Sequence, residues 1–149
     1  MTNDIRLSKH FMLSEFIKSS TATTKRIDNI PSLDIVSKLQ TLCTEVLEPL
    51  REHFKCPITI GSGYRCQKLN TAVGGATYSQ HMSGEACDIH IPDEATGKKW
   101  FTWMMYNLHF DQLIWEKSTP SSTHHWIHVS FSQDGKQRQH VIQNLVQNP

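Results

Sequence analysis

The sequence lacks the features that would place it in a membrane or on nucleic acid. None of its 149 residues belongs to an apolar run of the roughly 18–20 residues needed to cross a bilayer. The N-terminal stretch MTNDIRLSKHFMLSEF has no hydrophobic core of a signal peptide. The formal charge of +1 is too small for the basic excess that binding to nucleic acid needs. We therefore expect no membrane span, no nucleic-acid partner, and a chain that is cytoplasmic as synthesised.

Cysteine is present without a recognisable pattern. The four cysteines form no CxxC pair, so their spacing does not support a zinc site built from thiolates. Without an export signal, four reduced thiols are expected rather than two disulfides. The cysteines are Cys43, Cys56, Cys66 and Cys87.

Histidine, by contrast, is abundant. The chain has nine histidines, and six of them fall between His81 and His128. Most histidines are ordinary polar residues, so a functional role for any of them needs a second argument from the surrounding pattern.

The pattern of apolar residues predicts an α+β domain that spans residues 1–149. Apolar residues at helical spacing predict an amphipathic helix of about five turns, which Pro31 and Ser32 start and which Pro49 kinks or shortens. Shorter helices are predicted over 67–73 and 94–108, and strands near 58–60, 86–91, 110–116 and 126–131. Residues 136–149 fit either a strand or a helix. Helices followed by short strands indicate a largely antiparallel sheet.

Alternation along the strands predicts one polar surface. In ACDIHI, Asp88 and His90 face away from the apolar residues, and His128 does the same in WIHVSF. Glu116 shares the polar side of FDQLIWE, and His81 lies in the loop before the first of these strands. A common polar surface therefore carries a cluster of metal-ligand residue types.

Three of these residues satisfy the ligand count of a catalytic zinc site, which has three protein ligands and one open position. They are His81, Asp88 and His128. Their spacing alone is not diagnostic, so His81 as a surface residue and Asp88 as a local cap or pairing partner remain alternatives. His90 shares a face with Asp88, but any i, i+2 pair on a strand does, and it is the weaker ligand candidate.

Four blocks of the sequence resemble a known family. SGYR, the LN…VGGA segment, SQHMSGEACD and the final WIHVS are similar to the D-Ala-D-Ala carboxypeptidase family of zinc peptidases, peptidase family M15. This family includes D-alanyl-D-alanine carboxypeptidases, D-Ala-D-Ala dipeptidases and L-alanyl-D-glutamate endopeptidases of bacteria and phages. The segment from Leu7 through LEPLR also resembles small single-domain members. The resemblance implies a hedgehog/DD-peptidase fold, with helices on one face of an antiparallel sheet and an exposed zinc cleft on the other.

The resemblance also implies roles for individual residues. His81 and Asp88 match the HxxxxxxD ligand pair of the family, and His128 matches the histidine of the terminal motif, with Zn²⁺ as the cofactor. Arg65 in SGYR matches an arginine that holds substrate and helps to polarise the scissile carbonyl, a role suited to the donors of a guanidinium. A surface salt bridge is the alternative for Arg65.

The general base is less clear from the resemblance. Several relatives place an acidic residue three positions before the last ligand, where this chain has His125, with His124 beside it. Glu116 occupies the place of a glutamate in the QLIxE segment of other small members, and we favour it over His125. The alternative for Glu116 is a hydrogen bond to a metal ligand, and the alternative for His125 is a place in a solvated loop. Ser79 and Gln80 either position ligand or substrate, or structure the loop.

The function implied by the resemblance is hydrolysis of peptidoglycan stem peptides that contain D-residues. The type is that of a D-Ala-D-Ala carboxypeptidase or an L-Ala-D-Glu endopeptidase, acting at the cell wall after release by a route other than a standard signal, as in a phage protein. Two other hypotheses stay open. One is a non-catalytic zinc domain that binds wall peptide or a protein partner. The other is a cysteine hydrolase that uses Cys66 or Cys87 with a histidine.

Overall fold

The computed structural model describes residues 4–146 and shows an α+β architecture. Residues 1–3 and 147–149, which the single-domain expectation also includes, lie outside the described range. The helices are α1 (Ser14–Ile17), α2 (Ser20–Thr24), α3 (Leu33–Leu42), α4 (Glu48–Phe54), α5 (Gln67–Ala72) and α6 (Glu94–Asn107). The strands are β1 (Thr59–Ser62), β2 (Ala86–His90), β3 (Gln112–Lys117), β4 (His125–Ser130) and β5 (His140–Val146).

The long amphipathic helix is confirmed, and it continues past the proline near its end. Ser32 caps its start by accepting a backbone hydrogen bond. Helices α3 and α4 are joined by a π-helical turn over Cys43–Leu47, in which the N–H of Glu48 bonds to the carbonyl of Cys43. Pro49 then falls in the first turn of α4, where its missing N–H is tolerated. The helix is therefore not shortened, because the wider turn accommodates the proline.

The sheet is mixed rather than wholly antiparallel. The strand order is β1-β2-β4-β3-β5, and the first three neighbouring pairs are antiparallel as expected. The fifth strand pairs parallel with β3. The segment before β5 returns to the start of β3, where the N–H groups of Gln139 and His140 donate to the carbonyls of Phe110 and Asp111. A strand that begins beside the start of β3 must run in the same direction.

The core lies on the face of the sheet that the alternation predicts. Side chains from β2, β3 and β4 on this face are buried, and they form one apolar cluster with residues of the helices. The sheet residues of the cluster include Cys87, Ile89, Leu113, Trp115, Ile127 and Val129, and its helix residues include Phe16, Leu39, Leu42, Leu50, Trp100, Phe101 and Met104. Burial of this face directs the alternate side chains of the same strands to the opposite side.

The opposite face carries the polar residues. The antiparallel register places Asp88 directly across from His128 and Glu116 across from Trp126. Among the described residues, no helix is long and apolar enough to cross a membrane.

The end of β1 approaches α1 so closely that only glycine fits at position 63. A Cβ atom there would lie 2.6 Å from the carbonyl oxygen of Phe16 and 2.7 Å from its Cα. Backbone atoms of a buried residue cannot move aside cheaply. We therefore expect Gly63→Ala to lower the free energy of unfolding by about 1–3 kcal/mol, as overpacking does. Urea denaturation of the metal-free protein measures this difference.

Gly61→Ala is the matched control, since it makes the same change two residues away. Its added Cβ would meet only the carbonyl oxygen of Asp88, at 3.6 Å. We expect a change in stability of less than about 1 kcal/mol. Equal stability of the two variants would show that the contact with Phe16 does not restrict position 63.

Candidate metal centre

Three side chains converge on one point of the polar face. The Nε2 atom of His81 lies 3.3 Å from Oδ1 of Asp88, and Nδ1 of His128 lies 3.1 Å from the same oxygen. One ligand atom from each residue falls within 4.8 Å of the others. Among residues 4–146, this is the one group of at least three histidine, cysteine or acidic side chains with such a spacing.

The sheet register explains how ligands 40 residues apart meet. Asp88 on β2 and His128 on β4 are cross-strand partners, so their side chains leave the same face at the same level. His81 reaches them from a tightly turned loop, in which Gln80 accepts a hydrogen bond from the N–H of Glu85 at 3.0 Å. Gly84 closes this turn with a φ of +76°.

The imidazole of His81 is held in one tautomer. Its Nδ1 lies 2.7 Å from the carbonyl oxygen of Gly63, and because a carbonyl only accepts, Nδ1 carries the proton. In the neutral ring, Nε2 therefore presents a lone pair toward Asp88. The carbonyl of His81 also accepts from the N–H of Arg65 at 3.1 Å. A ligand histidine oriented through its second ring nitrogen is the usual arrangement at metal sites.

The protonation states suit a metal ion. Burial lowers the pKa of His81, which favours the neutral imidazole. Burial alone would raise the pKa of Asp88, but His81 and His128 hold it below its ordinary value, so Asp88 is a carboxylate. Metal ligands need these two forms. Two acceptor atoms 3.3 Å apart repel each other unless a cation lies with them, and two imidazoles with one carboxylate are a donor set that fits zinc.

The resemblance implies an exposed zinc cleft, but the three candidate ligands are buried. The exposed fractions of His81, Asp88 and His128 are 2%, 4% and 8%. Side chains from two loops, His81 and Arg65, pack among the strand residues of the polar face. A cleft of about 220 Å³, lined in part by Gly61 and the ring of Trp126, opens beside this group and reaches Asp88.

Glu116 lies next to the three ligands. It is 2% exposed, and its Oε1 is 4.0 Å from Nδ1 of His128. Burial raises the pKa of Glu116 to about 7, with the neighbouring imidazole of His128 acting against this shift and Asp88 adding to it. The carboxyl group can therefore gain or lose a proton near neutral pH.

Arg65 is also buried here, with an exposed fraction of 5%. Burial lowers its pKa, whereas the carboxylates of Asp88 and Glu116 raise it. A guanidinium remains charged under such opposing influences. Arg65 is thus a cation that lies in the field of both acidic residues of the site.

Asn29 holds the backbone on both sides of Arg65. Its Nδ2 donates to the carbonyls of Tyr64 at 2.9 Å and Ile17 at 3.0 Å, and its Oδ1 accepts from the N–H of Cys66 at 2.8 Å. No pattern in the sequence points to Asn29. A single asparagine in a polar segment, 35 residues or more from the partners that flank Arg65, leaves no spacing signal.

The side chains of Ser79 and Gln80 are engaged within the protein. The Oγ of Ser79 accepts from the N–H of His81 at 3.2 Å, and Nε2 of Gln80 donates to Oδ2 of Asp111 at 2.9 Å. These bonds structure the loop that carries His81. A direct contact of Ser79 or Gln80 with substrate stays a prediction.

The structure does not bring His125 to the cluster. His125 begins β4, and its ring stacks on Trp115 with the centroids 5.2 Å apart, on the face opposite to His128. The sequence predicted His125 in a loop, whereas it lies in β4. Side chains alternate along a strand, so residues three positions apart point to opposite faces. His90 is exposed and does not belong to the ligand group, and its ring lies 6.3 Å from that of His124.

The cysteines lie elsewhere. All four are free, as expected. Cys87 is completely buried on the core face, and burial raises the pKa of its thiol well above the ordinary value. Cys66 packs in a small apolar cluster with Leu69. A buried thiol of raised pKa is a poor nucleophile, which argues against Cys87 in a cysteine hydrolase.

Comparison with known families agrees with this geometry. A family model described as Peptidase M15 matches residues 9–130. No curated protein matches the chain. The matched range covers most of the chain and includes Arg65, Glu116 and the three residues that could hold a metal. The chain belongs to the peptidase M15 family.

Proposed function

We propose that this chain is a zinc-dependent metallopeptidase that hydrolyses peptidoglycan stem peptides, as a D-Ala-D-Ala carboxypeptidase or an L-Ala-D-Glu endopeptidase. Family membership implies a metallopeptidase, and the proposal extends this to zinc, to the wall substrate and to the hedgehog/DD-peptidase fold. The observation that carries it is the convergence of His81, Asp88 and His128 beside a buried carboxyl and a buried guanidinium. Digestion of purified peptidoglycan with mass analysis of the fragments tests the substrate and identifies the bond that is cut.

His81, Asp88 and His128 would hold the metal. Three protein ligands leave a coordination position open, which distinguishes catalytic zinc sites from closed structural ones. Zinc bound by these residues supplies Lewis acidity that polarises a carbonyl and makes water a stronger acid. Gly63 supports the set by fixing the tautomer of His81.

Glu116 is the proposed general base. It lies on the same face as the ligands, with Oε1 4.0 Å from Nδ1 of His128. Its carboxylate would accept a proton from the attacking water and return it to the nitrogen of the leaving amine. His125 is the weaker candidate, because its ring stacks on Trp115 on the other side of β4.

Arg65 is proposed to bind the substrate carbonyl or carboxylate. A guanidinium offers fixed donors to an oxygen that gains negative charge. Three hydrogen bonds hold the backbone around Arg65. The N–H of Arg65 donates to the carbonyl of His81, and the residues on either side of Arg65 bond to Asn29. A donor positioned in advance needs little reorganisation during the reaction.

A non-catalytic zinc domain is the alternative function. That hypothesis rests on the absence of an acidic residue at position 125. The placement of Glu116 beside the ligands supports the peptidase, because a buried carboxyl group with a raised pKa next to a cluster of metal-ligand residues is typical of catalytic sites. Bound zinc without turnover of any wall fragment would favour the binding domain.

We expect about one zinc ion per purified chain, the number a single catalytic site needs. His81→Ala and His128→Ala each remove a ligand, so elemental analysis should show that both variants lose most of the metal. His90→Ala is the control, since His90 is exposed on the same strand as Asp88 and outside the ligand group. Full zinc occupancy in both ligand variants would contradict the assignment.

Glu116→Gln preserves the shape of the side chain and removes its ability to accept a proton. We expect the variant to keep its zinc and to lose at least about a hundredfold in turnover on peptidoglycan, as general bases contribute on this scale. His125→Gln is the comparison and should cause a smaller loss at saturating zinc. The opposite ranking would transfer the catalytic role to His125.

Arg65→Lys keeps the positive charge and removes the fork of donors. We expect retained zinc and a loss of roughly a hundredfold in kcat/KM, the lower end of the range for losing an oxyanion donor. Arg26→Lys is the control on an exposed loop residue. A lower unfolding temperature with normal activity per folded molecule would instead show that Arg65 has a structural role.

A further inference from the structure

Asp111, just before β3, is a buried carboxylate outside the ligand group. It is 4% exposed. Its Oδ1 accepts from Nε of Arg138 at 2.8 Å, and its Oδ2 accepts from a terminal nitrogen of the same guanidinium at 2.8 Å. The N–H of Arg138 adds a third bond to Oδ1 at 3.1 Å, and the side-chain amide of Gln80 donates to Oδ2 at 2.9 Å. The carboxylate therefore joins Gln80 to Arg138.

Gln80 precedes His81 in the turn of residues 79–85, here called the ligand loop. The backbone carbonyl of Gln80 accepts from the N–H of Glu85 at 3.0 Å and closes this turn. The side chain of Gln80 extends to Asp111, in a different part of the fold. A displacement of Gln80 would move His81 directly, because the two residues share a peptide bond.

The carboxylate of Asp111 is separable from the folding of its own segment. The backbone N–H of Asp111 donates to Ser130 at 2.8 Å, and its carbonyl accepts from His140 at 2.9 Å. These bonds fix the start of β3 without the side chain. The contacts of the carboxylate given above, in contrast, go to Gln80 and Arg138.

We infer that Asp111 is a positioning residue for the metal centre, which holds the ligand loop through Gln80 and is itself held by Arg138. The inference rests on the proposed zinc site. Arg138 lies beyond residues 9–130, the range matched by the family model, so the segment before β5 contributes to the site from outside that range. Metal affinity depends on such outer contacts, because ligands displaced from their geometry bind more weakly.

The charge of Asp111 favours lasting hydrogen bonds to Arg138 and Gln80. Hydrogen bonds from Arg138 lower the pKa of Asp111 to about 2, although burial acts against this. The carboxylate therefore stays ionised at neutral pH and accepts from both partners. Arg138 is 60% exposed, so its guanidinium remains hydrated on its outer side when the carboxylate is removed.

The test measures the zinc dissociation constant of the full chain by competition with a chromophoric chelator. Asp111→Ala and Gln80→Ala should each weaken zinc binding by about tenfold, the lower end of the range for outer contacts. The double variant should be no weaker than the single ones, since both remove the same link. Asp134→Ala is the control, because the carboxylate of Asp134 accepts its hydrogen bonds from Ser132 and Lys136.

Thermal unfolding of the metal-free variants separates positioning from stability. If Asp111→Ala lowers the unfolding temperature but leaves the dissociation constant within about twofold of the wild type, well below the range for outer contacts, the residue is structural and the inference is wrong. Gln80→Ala repeats this comparison should Asp111→Ala fail to fold. Additive effects in the double variant would also overturn the link. A wild type that binds no zinc would overturn the proposed metal site and this inference together.

Discussion

The pairing of Asp88 with His128 across β2 and β4 is the interaction on which the site depends. The antiparallel register holds the two side chains at one level of the polar face, with Nδ1 of His128 3.1 Å from Oδ1 of Asp88. Burial of the alternate side chains in the apolar core prevents either strand from slipping, since a shift of one residue would turn the pair into the core. The apolar core on one face of the sheet thus fixes the positions of Asp88 and His128 on the other face.

The remaining parts of the site are fixed relative to this pair by backbone hydrogen bonds. His81 and the segment from Gly63 to Arg65 hold each other, because the ring of His81 donates to Gly63 and the N–H of Arg65 donates to the carbonyl of His81. The candidate ligand and the candidate substrate-binding arginine therefore move as one unit.

The sequence by itself determined the local elements and the residues that are candidate ligands. Helical spacing of apolar residues predicted the long helix, and period-two alternation predicted the polar faces of β2, β3 and β4, because both patterns depend on neighbours within a few residues. Resemblance to a family supported the grouping of His81, Asp88 and His128, which the ligand count had suggested and which the structure brings together. Spacing alone could not establish this grouping, since a separation of 40 residues along the chain does not show whether two side chains are close until the strands pair.

Only the tertiary structure decided the features that arise from contacts between distant segments. The parallel direction of β5 follows from where its preceding segment bonds to β3, and the side of the sheet that His125 occupies follows from where β4 begins. The partners of Asn29 that flank Arg65, and the partners of the Asp111 carboxylate, lie 27 or more residues away. Such residues belong to no periodic pattern, because hydrogen-bond partners are selected by distance in space and not by separation along the chain.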